Sequence, residues 1–174
     1  MTTQQTPDLD SDLRLVVVMR HGEAQSSSDT GDEGRELTAR GRADAEAAGR
    51  RLVEEGVRAD VAIVSSATRT RQTWEAMAGG GLAAGDVWID RALYNGEVAD
   101  LVEAVRAAPE QARVVVLVGH SPSVPDLASE VEAHCERPST WPPATFGVIS
   151  HPGQWSDFPG DGTVLVTWGE GRAS

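Results

Sequence analysis

The amino-acid sequence predicts a single α/β domain, a three-layer α/β/α sandwich with a mostly parallel sheet. Two observations predict it: uniformly apolar segments of strand length, and longer segments between them in which apolar residues recur at helical spacing. Uniformly apolar strands are typical of parallel sheets buried on both faces, and their alternation with helices covers both faces of one sheet. The length of 174 residues fits one domain, and no polar spacer divides the chain.

Six segments have the composition of strands, in the order 13–19, 61–64, 87–93, 113–118, 145–150 and 163–168. The first, second and fourth of them are rich in Val and have no polar face, which is typical of buried parallel strands. The third alternates polar and apolar residues, which favours a strand. The last two could pair as an antiparallel hairpin, although their glycine- and proline-rich connection is long. The predicted sheet is therefore parallel except at its C-terminal end.

Four segments between the strands have helical periodicity, at 39–55, 68–77, 98–108 and 123–133. Thr38 and Ser123 are the predicted N-caps of the first and last helix. Gly56 ends the first helix, and the small, polar segment 23–36 before it is predicted to be a loop. Residues 1–12 are polar and acidic, and we expect them to form a disordered tail outside a domain that spans 13–170.

The composition excludes several classes of function. Fifteen basic and 27 acidic residues give a net charge of −12, so nucleic acid and anionic membranes are poor partners. All 15 basic residues are Arg, which excludes Schiff-base and Walker-type chemistry because both need Lys. Cys135 is the single cysteine, so no intrachain disulfide forms. Because no apolar run approaches the ~20 residues of a membrane span and no signal peptide is evident, we expect a cytoplasmic protein, a monomer or a weak dimer.

Charged and polar residues follow three of the predicted strands. Arg20 and His21 follow the first, Arg69 lies where the helix after the second begins, and His120 follows the fourth. The carboxyl ends of parallel strands face the ligand crevice of an α/β sheet, so we expect these four side chains to meet. Guanidinium groups match phosphoryl oxygens, and a helix N-terminus attracts anions. Gly22 has no side chain, which suits a close approach of the backbone to a bound phosphate.

The residues disfavour metal binding at this predicted site. The chain has no His-x-His, His-Glu-x-x-His or Cys-x-x-Cys pattern, and Arg20 beside His21 disfavours a cation. We therefore expect neither a metal nor a cofactor. The alternative for each residue taken alone is structural: a core histidine, or a solvated arginine at a helix start. Their common placement at strand ends argues against four such coincidences.

Four motifs resemble those of the histidine phosphatase superfamily, the phosphoglycerate mutase-like group. They are, in chain order, Arg20-His21-Gly22, Leu37-Thr38-Ala39-Arg40-Gly41, Ser65-Ser66-Ala67-Thr68-Arg69-Thr70-Arg71-Gln72-Thr73 and Gly119-His120-Ser121. The resemblance extends from about residue 13 to residue 168 and implies a phosphoglycerate mutase-like fold. It implies that His21 is the nucleophile and carries a phosphohistidine intermediate. It also implies that Arg20, Arg69 and His120 hold the phosphoryl oxygens.

The general acid is the weakest part of this resemblance. Many members of the superfamily carry an acidic residue between the second-arginine and second-histidine motifs, and Glu97 is the nearest candidate here. Glu97 could instead cap the helix that follows it. Glu23 and Glu103 are weaker candidates. The family's usual acid–glycine pattern is missing, and about 20 residues between Leu93 and Arg113 leave room for one helix but no lid.

Both departures resemble the small phosphohistidine phosphatase branch of the superfamily. An imidazole leaving group needs a proton donor less than an alkoxide does, and an uncovered pocket suits a phosphate displayed on another protein. The predicted substrate is therefore a phosphohistidine protein. Two alternatives stay open: a small-molecule phosphomonoesterase acting on a sugar or organic phosphate ester, and a catalytically weak phosphate-binding module.

Overall fold

The computed structural model describes residues 13–173. They form a seven-stranded mixed sheet with helices on both faces. The strands are β1 (Arg14–Arg20), β2 (Ala59–Ser65), β3 (Ala84–Asp90), β4 (Val114–Gly119), β5 (Glu132–Ala133), β6 (Thr145–His151) and β7 (Val164–Glu170). The helices are α1 (Ala39–Glu54), α2 (Thr68–Gly79), α3 (Val98–Arg106) and α4 (Ser123–Glu130). The tail predicted at 1–12 lies outside the described residues.

The strand order across the sheet is β3-β2-β4-β1-β6-β7-β5. Strands β1 to β4 are mutually parallel, and β6 runs antiparallel to its two neighbours, β1 and β7. The predicted three-layer sandwich with an antiparallel C-terminal hairpin is therefore confirmed. Strand β5, which pairs in parallel with β7, was not predicted, because two residues are too short to carry a periodic pattern.

Strand β1 explains why the predicted central strands have no polar face. Val16 and Val18 pack on one side of the sheet with residues of α3 and α4. Val17 and Met19 pack on the other side with residues of α1 and α2. All four side chains are fully buried. Because alternate residues of a strand point to opposite faces, a strand covered by helices on both sides must be apolar throughout.

The structure corrects three predicted boundaries, and local hydrogen bonds accompany two of the corrections. Strand β3 ends at Asp90 rather than at residue 93, because the Asp90 carboxylate accepts the N–H of Ala92 at 2.9 Å and starts a helical turn. Helix α4 ends at Glu130, before the predicted residue 133. Ser123 is not its N-cap but its first residue, and the Ser123 hydroxyl donates to the carbonyl of His120 at 3.2 Å. Thr38 caps α1 as predicted, accepting from the N–H of Gly41 at 2.9 Å.

The sheet order brings three chain segments to one edge. Strands β2, β4 and β1 are adjacent and parallel, so their carboxyl ends lie side by side, with Arg20 in register with Gly119. Helix α2 begins three residues after β2, and α4 begins four residues after β4. The residues that link each strand to its helix therefore surround one region of the surface.

Within residues 13–173, no helix is long and apolar enough to cross a membrane. No group of three or more His, Cys, Asp or Glu side chains in that range has an arrangement that could hold a metal ion.

Candidate active site

An open cavity of about 600 Å³ lies at the carboxyl edge of the parallel strands. Arg20, His21, Arg69 and His120 all line it, so the structure brings together the four side chains that the strand ends predicted. The imidazole rings of His21 and His120 meet edge to face, with their centroids 5.4 Å apart. Two imidazoles and two guanidinium groups on one cavity give a concentration of hydrogen-bond donors suited to a tetrahedral oxyanion.

His21 presents a neutral imidazole with one free nitrogen. Its side chain is buried, and we assign the ring proton to Nδ1, which donates to the carbonyl of Gly22 at 2.7 Å. The lone pair is then on Nε2. Burial lowers the pKa of His21 to about 4, and the positive charges of Arg69 and Arg20 act in the same direction. At neutral pH the ring is therefore uncharged and able to act as a nucleophile.

In His120 the protein contacts the other ring nitrogen, Nε2. Nε2 lies 2.7 Å from the hydroxyl oxygen of Ser65, and that oxygen accepts the N–H of Ala67 at 3.5 Å. We assign the hydroxyl proton to the bond with Nε2, which places the ring proton on Nδ1. Burial lowers the pKa of His120 to about 3, and the neighbouring His21 and Arg69 act in the same direction. His120 is thus a neutral donor.

Two arginines of the cavity, the buried Arg69 and the half-buried Arg20, are held by hydrogen bonds to backbone carbonyls. Nη1 of Arg20 donates to the carbonyl of Trp141 at 2.5 Å, and Nη1 of Arg69 donates to the carbonyl of Asp32 at 2.8 Å. In the described part of the chain, the buried Nε atom of each arginine has no hydrogen-bond partner. Burial lowers the pKa of Arg20 below its usual value. Both arginines also line the cavity, where guanidinium groups match the oxygens of a phosphoryl group.

The N-terminus of α2 adds to the positive potential of the cavity. Its N-cap residue, Ala67, makes no side-chain cap hydrogen bond. Arg69 lies in the first turn of this helix, where a cation opposes the helix dipole, and its side chain is nevertheless buried. An anion in the cavity would interact favourably with both the dipole and the guanidinium group.

Gly22 lies where the end of β1 packs closely against neighbouring elements. Its N–H donates to the hydroxyl of Thr73 at 3.0 Å and is therefore already used within the protein. A Cβ atom on Gly22 would lie 2.6 Å from the carbonyl oxygen of Gly41, in the first turn of α1. A glycine is needed here because the end of β1 contacts the backbone of that helix, and the phosphate contact predicted for Gly22 stays a prediction.

The position of Glu97 fits both predictions, a helix cap and an acid near the site. It is the N-cap residue of α3, where its N–H donates to the carboxylate of Asp100 at 2.8 Å, and it also lines the cavity. Glu23 lines the cavity too, and its carboxylate accepts the Thr38 hydroxyl at 2.7 Å. Glu103 pairs instead with an arginine one turn further along the surface of α3. The structure therefore retains Glu97 and Glu23, but not Glu103, as acids near the cavity.

Four residues near the cavity were missed at the sequence level. Arg35 lines the cavity, and its Nε donates to Asp32 at 3.0 Å. The hydroxyl of Tyr94 donates to the same carboxylate at 2.6 Å. The fourth residue is Ser65, the last residue of β2. Its position at a strand end, and the position of Arg35 two residues before the Leu37 motif, could have identified both from the sequence. Asp32 and Tyr94 carried none, because they meet only through the path of the loops.

Comparison with protein families gives a match over the first half of the chain. The family model described as "Histidine phosphatase superfamily (branch 1)" matches residues 16–94, which include the first histidine and the second-arginine motif. A search of curated proteins finds no match.

Comparison with solved structures gives matches over nearly the whole chain. A SixA protein from Nakamurella multipartitia has 32% sequence identity and a TM-score of 0.79, with 91% of this chain and 96% of that chain covered. A SixA protein from Agrobacterium tumefaciens has 23% identity and a TM-score of 0.72, with 89% and 97% covered. The protein histidine phosphatase SixA complexed with tungstate has 20% identity and a TM-score of 0.76, with 90% and 96% covered. The last two show likeness of fold alone.

Proposed function

We propose that this chain, a member of the histidine phosphatase superfamily, transfers a phosphoryl group from its substrate to Nε2 of His21. One observation carries the proposal. The imidazole of His21 is neutral, with Nε2 free, in a cavity that Arg20, Arg69 and His120 also line. A nucleophile beside preorganised donors is the arrangement that phosphoryl transfer requires.

In the first step, the lone pair on Nε2 of His21 attacks phosphorus in line with the leaving group. A P–N bond forms, and the bond from phosphorus to the leaving atom breaks. Arg20 and Arg69 stabilise the charge on the equatorial oxygens, where it spreads in the transition state. His120 donates a further hydrogen bond from Nδ1. The leaving group takes up a proton as it departs.

In the second step, a water molecule attacks the phosphohistidine. Its oxygen bonds to phosphorus, the P–N bond breaks, and one proton of the water is released. Inorganic phosphate leaves, and His21 returns to its neutral form. The same donors serve both steps because the phosphoryl oxygens occupy the same region throughout.

The proposed substrate is a phosphohistidine on another protein. The cavity is open, and within the described residues the segment between β3 and β4 holds only one α-helix, α3, and one short helical turn, which leaves no helical lid. The leaving group would be an imidazole, which departs more readily than an alkoxide and needs less acid catalysis. The SixA protein from Nakamurella multipartitia, which is 32% identical to this chain, bears the name of a phosphohistidine phosphatase, which supports the same class of substrate.

A second candidate function is hydrolysis of a small phosphate ester, and the position of Glu97 favours it. A carboxylic acid in the cavity wall could protonate an alkoxide leaving group. Glu97→Gln removes that proton donor and keeps the size of the side chain. We expect this variant to lose activity on alkyl phosphates, by roughly 10²-fold, and to lose much less on phosphohistidine. Equal losses on the two substrates would remove the acid role.

Trapping the intermediate tests the proposal directly. The enzyme is mixed with a radiolabelled phosphohistidine protein or with p-nitrophenyl phosphate, quenched in alkali and digested. We expect label that is stable in alkali and labile in acid, on the peptide that contains His21. Label on another residue, or turnover with no trapped label under single-turnover conditions, would overturn the proposed intermediate. In a second measurement, EDTA is added to the assay, and we expect the rate of phosphate release to stay unchanged.

A further inference from the structure

The loop between β1 and α1 is closed at its base and lies beside the cavity. The N–H of Gln25 donates to the carbonyl of Glu36 at 2.8 Å, and the N–H of Thr38 donates to the carbonyl of Glu23 at 2.9 Å. The residues between these two bonds therefore project as one loop. Near its end, a helical turn at Asp32–Gly34 carries the loop past α2.

Asp32 on this turn connects three side chains of the site. Its carbonyl accepts Nη1 of Arg69 at 2.8 Å, and its Oδ2 accepts Nη2 of Arg69 at 3.3 Å. The same Oδ2 accepts the hydroxyl of Tyr94 at 2.6 Å. The other carboxylate oxygen, Oδ1, accepts Nε of Arg35 at 3.0 Å. The Arg69 side chain is 6% exposed and that of Asp32 is 53% exposed, so a carboxylate at the surface holds a guanidinium group that is buried.

Both terminal nitrogens of Arg69 are thereby tied to one residue, while its Nε is buried and unpaired. A guanidinium group is a rigid planar fork, so fixing two nitrogens fixes the direction of every remaining N–H. The hydrogen bond from Tyr94, with the charges of Arg35 and Arg69, lowers the pKa of Asp32 to about 2. The carboxylate is therefore ionised whenever the enzyme is folded near neutral pH.

We propose that Asp32 is a positioning residue, which orients the guanidinium group of Arg69 toward the phosphoryl group. The proposal rests on the proposed function, in which Arg69 binds phosphoryl oxygens. Tyr94 completes the arrangement: its hydroxyl holds the Asp32 carboxylate, and its ring lies 6.0 Å from Cζ of Arg69 and 5.9 Å from the ring of His120.

An electrostatic role and a positioning role of Asp32 predict opposite changes in phosphate affinity when its carboxylate is removed. A carboxylate near a phosphate site repels the anion, so a purely electrostatic role predicts tighter phosphate binding when the charge is removed. A positioning role predicts weaker binding, because Arg69 loses its bond to the carboxylate and keeps only the bond to the backbone carbonyl of residue 32. Removing a hydrogen bond to a charged group has an effect that corresponds to roughly tenfold or more in an equilibrium constant.

The experiment measures inhibition by inorganic phosphate and kcat/KM on p-nitrophenyl phosphate in four proteins. They are the wild type, Asp32→Ala, Arg69→Ala and the double variant. We expect Asp32→Ala to raise the inhibition constant of phosphate about tenfold and to lower kcat/KM by at least that factor. In the Arg69→Ala background, the same substitution should weaken phosphate binding less than twofold, because a positioning residue has no effect without the group that it positions.

Asp29→Ala is the matched control. It removes the same charge from the exposed side of the same loop, and we expect an inhibition constant within twofold of the wild type. Tyr94→Phe is a second test, which keeps both charges and the fold of the loop. It should weaken phosphate binding about threefold, and only when Arg69 is present.

Three results would overturn the proposal. Tighter phosphate binding by Asp32→Ala would show an electrostatic role. Equal weakening with and without Arg69 would show that Asp32 acts on something else. Unchanged phosphate binding in Arg69→Ala would refute the phosphate-binding role of Arg69 itself, which is a failure of the proposed function and is distinguished by that single variant.

Discussion

The two histidines of the cavity follow neighbouring parallel strands, yet they make hydrogen bonds through opposite ring nitrogens. His21 uses Nδ1, bonded to the carbonyl of Gly22, and leaves Nε2 free. His120 uses Nε2, bonded to the hydroxyl of Ser65, and keeps its proton on Nδ1. The hydrogen-bond partner of each ring, and not its position on the sheet, therefore separates a nucleophile from a donor.

The sheet order explains why the partners differ. Strand β4 lies between β2 and β1, so the residue that ends β2, Ser65, stands beside His120. His21 follows β1, whose other neighbour is the antiparallel β6, and its ring is held by the next peptide of its own chain. One imidazole is therefore oriented by a long-range contact and the other by a local one.

The largest effect should come from removing the nucleophile. We expect His21→Ala to lower kcat by at least about 10⁴-fold and to abolish the acid-labile phosphoenzyme. His120→Ala is the matched control: it should lose about 10²–10³-fold, as for a transition-state donor, and still form the phosphoenzyme slowly. Single-turnover kinetics with acid and alkaline quench measure both. If His120→Ala abolished the phosphoenzyme while His21→Ala retained it, the two roles would be reversed.

Both histidines should make the fold less stable in acid. The unfolded-state pKa of each is about 6.5, and the folded-state values are about 4 for His21 and about 3 for His120. Below pH 6.5 the unfolded chain binds more protons, so the stability contributed by each neutral ring is fully present above that pH and lost as the pH falls. Between pH 7 and pH 4 the loss is about 3 kcal/mol for each histidine.

Urea unfolding at pH 7 and pH 4.5 checks this expectation. The wild type is compared with the variant His21→Asn/His120→Asn, which lacks both titrating rings but keeps the same carboxylates. The free energy of unfolding should fall more steeply with pH in the wild type. Parallel pH dependences in the two proteins would mean that the rings are not held neutral by the fold.

The smallest effect sharpens the comparison between the two rings. Ser65→Ala removes the hydroxyl that orients His120, and we expect a loss of about 3- to 10-fold in kcat/KM. Nitrogen NMR of His120 should show a mixture of tautomers in this variant, whereas His21 keeps its Nδ1–H form. Ser66→Ala, which removes an exposed hydrogen bond to Glu33, should leave both spectra unchanged. An unaltered His120 spectrum in Ser65→Ala would contradict the assigned orientation.

Much of the fold was predictable because its signals are local. A strand buried on both faces must be apolar at every position, as in Val16 to Met19, and a helix cap such as Thr38 acts within its own first turn. The same holds for the placement of Arg20, His21, Arg69 and His120, since residues after parallel strands must share one edge. Boundaries were less predictable, because single bonds such as that of Asp90 to Ala92 decide them.

The layers of the sandwich, the family resemblance and the four side chains that meet at the strand ends could all be predicted from the sequence. The orientation of those side chains could not. The bonds from Ser65 to His120 and from Arg69 to Asp32 join residues 55 and 37 positions apart. Periodic burial and short motifs are properties of a few consecutive residues. The direction of a ring or a guanidinium group depends on which distant loop the fold brings beside it.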